Sequence, residues 1–97
     1  MTVDPKEWVG LWQMNHDGWV GKLRNLLGGL IYTDQNGQDH SGWIVNWSQG
    51  GQHMRFIIKF PDHQQTFDAY LFSWDKTKMA GITYWEGQTF GFYAYKI

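Results

Sequence analysis

The chain has 97 residues, with 8 Lys and Arg against 9 Asp and Glu for a net charge of −1 with His neutral, and no cysteine. This is the length of one domain, expected over 1–97, with no basic surplus for nucleic acid and no thiol for disulfides, CxxC redox chemistry, metal thiolates or a Cys nucleophile. Charged residues at 18 % and hydrophobic ones at 42 % argue against disorder; apolar runs fall far short of the roughly 20 residues of a membrane helix, and no secretory signal opens the chain, so a cytoplasmic location is the default.

Asp4 and Pro5 suit the cap and first position of one short helical turn, so 1–7 is a tail or short turn. A first strand over 8–16 places Trp8, Gly10, Trp12, Met14 and His16 on one face. His16-Asp17-Gly18 turns the chain into a second strand, 19–26. Residues 23–31 come nearest to a helical period, but Gly28 and Gly29 interrupt it, and a third strand covers 30–33. After Asn36-Gly37 a fourth strand runs over 40–48, with Trp43, Val45 and Trp47 opposed by Gly42, Ile44 and Asn46. Gln49-Gly50-Gly51 leads to a fifth, 52–60, where Met54, Phe56, Ile58 and Phe60 oppose His53, Arg55, Ile57 and Lys59. Pro61-Asp62-His63 precedes a sixth over 66–74, Asp75-Lys76-Thr77 a seventh over 79–85, and Glu86-Gly87 an eighth over 89–96.

Turns every 8–12 residues or so are the rhythm of a sandwich or barrel, and each turn is short enough to join antiparallel neighbours. Closing an eight-strand meander removes its exposed edges. The expected fold is therefore all-β, an eight-stranded antiparallel up-and-down β-barrel, with no helix longer than about two turns.

Seven Trp, five Tyr and six Phe make 19 % of the chain. A domain this small buries only roughly 60 % of its unfolded surface, too little to hide every ring in one core. The fourth, sixth and eighth strands are apolar or aromatic on both faces, whereas a barrel buries one. A second copy is the simplest cover, so a homo-oligomer, dimer or tetramer, is expected.

Gly10-Leu11-Trp12 matches the Gly-x-Trp that opens the first strand of calycin-type barrels, which include lipocalins, fatty-acid-binding proteins and avidins. The closing strand, Phe90-Gly91-Phe92-Tyr93-Ala94, resembles that of avidins. The resemblance implies an avidin-like or lipocalin-like barrel that binds a ligand in its mouth. Met14 stands where avidins place a polar ligand contact, a departure from a biotin site. Trp12 is expected to plug the barrel bottom.

Three imidazole–carboxylate dipeptides fall at turns, His16-Asp17, Asp39-His40 and Asp62-His63. Such pairs suit metal ligation or acid–base work, but Asp also serves turns for its own sake, and neighbours in a strand face opposite ways. No metal, cofactor or catalytic residue is assigned; there is no nucleophile elbow, HExxH or P-loop. Asp68 lies in an aromatic strand and would anchor a ligand if inward, or pair with Arg55 if outward. Asn46 among large rings, Thr83 beside Trp85, and Tyr93 beside Tyr95 combine hydrogen bonding with stacking. The expected ligand-binding set is Asn46, Trp47, Asp68, Tyr70, Thr83, Trp85 and Tyr93, with at most one of the adjacent Asn46 and Trp47 facing the lumen.

The leading functional expectation is a non-catalytic binder of an apolar or aromatic small molecule, with neither nucleic acid nor membrane as partner. A carbohydrate-binding module stacking sugars on exposed Trp and Tyr is the alternative. A small barrel cyclase or isomerase, acting by ligand shaping and proton transfer, is the third. Rings around an internal cavity favour the first or third; rings in an external groove favour the second.

Overall fold

The computed structural model describes residues 2–97. Its strands are β1 (Gly10–His16), β2 (Trp19–Asn25), β3 (Leu30–Thr33), β4 (Asp39–Ser48), β5 (His53–Lys59), β6 (Gln64–Leu71), β7 (Lys78–Trp85) and β8 (Gln88–Lys96). Each pairs antiparallel with the next, and β8 returns to β1, giving a closed eight-stranded up-and-down barrel. Asp17-Gly18 and Glu86-Gly87 both have two consecutive positive-φ residues, the hairpin turn whose twist matches that of its strands.

Two of the expected strands are cut back at one end by two residues or more, the first at its start and the sixth at its end. Trp8 leaves β1 and closes a 3-10 helix over Pro5–Trp8, fixed by a capping box between Asp4 and Glu7. After Leu71 the ladder stops, because the Ser73 hydroxyl accepts from the Thr77 and Lys78 amides and Asp75 accepts from Thr77. No helix among the described residues exceeds that 3-10 turn in length.

Alternation fills the lumen. Trp12, Met14, Leu23, Met54, Phe56, Ile58, Phe67, Ala69, Leu71, Met79 and Ala94 are wholly or almost wholly buried. Phe56 and Phe67 stack at 5.0 Å, and Phe92 meets Phe67 edge-on at 5.3 Å. The N-terminal segment seals one end. Trp8 donates its indole N–H to the Gly51 carbonyl at 2.8 Å, Trp12 donates to the Trp8 carbonyl at 3.0 Å, and Val3 donates its amide to the Gly50 carbonyl. Gly51, at φ 81°, has no room for a Cβ, which would strike the Val3 carbonyl. Trp12 thus plugs the bottom, with the Lys96 ammonium 5.2 Å from its ring centroid.

In β4 the register shifts between Ile44 and Asn46, leaving Val45 as an extra residue. The bulge resets the alternation: Ile44 pairs with inward Phe56 and Trp47 with inward Met54, while Asn46 sits opposite outward Arg55.

A candidate ligand site at the open mouth

The end opposite the Trp8 plug stays open. In an up-and-down barrel alternate turns share an end, so the β1–β2, β3–β4, β5–β6 and β7–β8 turns surround this mouth. They enclose a cavity of about 420 Å³ with His16, Trp19, Tyr32, Phe60, Trp85 and Phe90 among its walls. Gly21 makes Tyr32 possible: a Cβ there would collide with the tyrosine hydroxyl and ring.

The three turn histidines converge here. His40 lies 4.9 Å from the Phe60 ring and His63 5.0 Å from the same ring, while His63 approaches Trp85 at 3.8 Å, centroid to centroid. His16 Nε2 and the Tyr32 hydroxyl are 3.0 Å apart, and the His16 Nδ1 makes no hydrogen bond to the described residues. Burial lowers the His16 pKa, partly countered by Asp17, and keeps the imidazole neutral at pH 7. Burial, reinforced by Asp34, pushes the Tyr32 phenol up to about 12.

The carboxylates are held in place. Asp34 bonds His40 at 2.9 Å and accepts from the Asn36 and Gln38 amides, and those bonds, His40's first, depress its pKa. Asp62 bonds His63 at 2.7 Å, which lowers the carboxyl. From His63 a chain continues through Gln65 to the Thr83 hydroxyl at 2.8 Å and on to the Thr66 carbonyl. Among the described residues no group of three or more His, Asp or Glu is placed to hold a metal ion.

The expected binding residues divide among three places. Trp85 walls the mouth, and Thr83 is buried just below it, bonded to Gln65. Trp47 faces inward at the closed end, 5.7 Å from Trp8. Asn46, Asp68, Tyr70 and Tyr93 lie on the outer surface of β4–β8. There Asp68 accepts from Arg55 Nε and Nη2 at 2.8 and 2.9 Å, from the Tyr84 hydroxyl at 2.8 Å, and pairs with His53 Nε2 at 2.9 Å. The Arg55 bonds lead in holding its carboxyl down to about 2, against the opposing effect of burial. All of its lone pairs are engaged within the chain, so Asp68 is saturated without a ligand.

Mouth residues absent from the expected set include Trp19, Tyr32, Phe60 and Phe90, the histidines His16, His40 and His63, and the acids Asp17, Asp34 and Asp62. Comparison with protein-family models, with curated proteins and with solved structures found no match to this chain.

Proposed function

We propose that the chain is a non-catalytic binding protein whose open mouth takes one small apolar or aromatic molecule. The observation that carries this reading is the cavity of about 420 Å³, walled by Trp19, Tyr32, Phe60, Trp85 and Phe90 and furnished with a few fixed polar groups. Its size and composition fit small-molecule sites, where rings supply contact area and sparse polar atoms supply orientation. The calycin-type resemblance supports the same end of the barrel, since binding in the mouth is what that resemblance implies.

The test is the fluorescence of a neutral solvatochromic dye, N-phenyl-1-naphthylamine, titrated with the protein. Saturable enhancement is expected, weakened at least about fivefold by Trp85→Ala, in line with loss of roughly 1 kcal/mol of contact. Trp43→Ala, on the outer surface, should leave it unchanged. Dye binding lost with Trp43→Ala and kept with Trp85→Ala would move the site to the outside and favour the sugar-stacking alternative.

The second copy belongs to the same proposal and covers the outer face of β6–β8. Tyr70, Ile82, Tyr93 and Tyr95 there are each 40–52 % exposed. Tyrosine rings, with an apolar body and a polar tip, suit such a contact.

A further inference from the structure

We infer that the ligand of the mouth is an organic cation, a protonated amine on an aromatic or apolar body. The inference rests on the mouth-binding reading and adds the sign of the ligand's charge. The four turns around the mouth carry Asp17, Asp34, Asp62 and Glu86 and neither Lys nor Arg. Among residues lining the cavity, Asp17, Asp34 and Asp62 are the acids, and again there is no ammonium or guanidinium. At the strand ends Asp39 and Lys59 offset each other. The closed end differs: Lys6, Lys76, Lys78 and Lys96 accompany its acids, and Lys76 pairs with Glu7 at 3.0 Å. Even with His40 and His63 both protonated against Asp34 and Asp62, Asp17 and Glu86 leave the mouth net negative. Low-dielectric walls focus such a field, which repels carboxylate or phosphate ligands and concentrates cations.

Two further features suit the same ligand. The Trp85, Phe60, Phe90 and Tyr32 rings line one cavity, and aromatic π faces attract a desolvating ammonium. His16, 7 % exposed, is neutral and has one ring nitrogen engaged with Tyr32. In the tautomer that donates from Nε2 to the Tyr32 oxygen, Nδ1 keeps its lone pair for an ammonium N–H.

Three probes with one aromatic body decide it: 2-(1-naphthyl)ethylammonium, the neutral 2-(1-naphthyl)ethanol and the anionic 1-naphthylacetate. Calorimetric titration at about pH 7.5 keeps the amine probe protonated and 1-naphthylacetate ionised. The cation should bind about tenfold or more tightly than the alcohol, with the anion weakest, and added salt should narrow the gap. Glu86→Gln, at a mouth turn outside the cavity lining, should reduce the cation-to-alcohol ratio about twofold with alcohol affinity unchanged, and Asp17→Asn should reduce the ratio about threefold. Both variants retain a side-chain oxygen for the turn, and unchanged circular dichroism would confirm the fold. Alcohol or anion binding as tightly as the cation overturns the inference and leaves the mouth reading standing. Failure of all three probes to bind overturns both.

Discussion

Asp68 shows how a carboxylate that reads as a ligand anchor in sequence can find its partners within the chain. A carboxylate between Phe67 and an aromatic run invites a ligand role, yet parity turns it outward, where Arg55, His53 and Tyr84 consume it. Asp68→Ala should destabilise the barrel by about 1–3 kcal/mol, below the range for a fully buried pair because the Arg55 side chain is 44 % exposed. Urea denaturation would measure it. Two of the groups that shape the acid limb of stability are His16 and Asp68. His16 has a lowered folded pKa, so its contribution is present above the unfolded value of about 6.5 and is lost as pH falls through the folded pKa. Asp68 is likewise depressed, to about 2, so its contribution is complete above about 4 and disappears as pH falls toward 2. Thermal melts across this range should show the upper step reduced in His16→Phe and the lower one reduced in Asp68→Asn, the depressed Asp34, Asp62 and Asp75 carboxyls keeping part of the lower step. At the closed end, Gly51→Ala should lower stability by more than the ordinary Gly-to-Ala effect of about 1 kcal/mol, because it adds a collision with Val3 to the cost of positive φ.

At the scale of elements, the strands were legible because turn residues and hydrophobic alternation agreed. What alternation could not show was the Val45 bulge, since one extra residue leaves the composition of β4 unchanged while exchanging faces beyond it. Trp47 and Asn46 are therefore resolved by register: the ring goes in and the amide goes out. The bulge makes an unusual prediction. Deleting Val45 restores plain alternation with Ile44 and Trp47 still inward, so the variant should fold with a modest change in melting temperature. Deleting Arg55 from unbulged β5 should instead turn Met54 outward and abolish cooperative unfolding, as followed by near-ultraviolet circular dichroism. The 3-10 helix was legible from Asp4-Pro5, but the burial of Trp8 against Gly51 depends on a contact across 43 residues that local pattern does not contain.

At the scale of the molecule, the closed barrel followed from the number and spacing of turns, whereas the choice between an internal cavity and an external groove did not. His16-Asp17, Asp39-His40 and Asp62-His63 flank the first, third and fifth turns, and odd turns of an up-and-down barrel share one end. That convergence was present in the sequence once topology was assumed; the depth of Tyr32 and Phe60 in the wall was not, because it depends on strand stagger. The outer face of β6–β8 gives a separate prediction. Ile82→Lys should shift the protein from oligomer to monomer in analytical ultracentrifugation, since an unpaired ammonium would be buried in the contact. A wild-type monomer at high concentration would contradict self-association without touching the mouth. The central claim, that the mouth is the ligand site, is tested most directly by nuclear magnetic resonance titration of isotopically labelled protein with N-phenyl-1-naphthylamine. The account predicts saturable shifts confined to the Trp19 and Trp85 indoles, the rings of His16, His40 and His63, and the four turns at that end. Shifts centred on Trp43, Tyr70 and Tyr93, with the mouth unmoved, would contradict it.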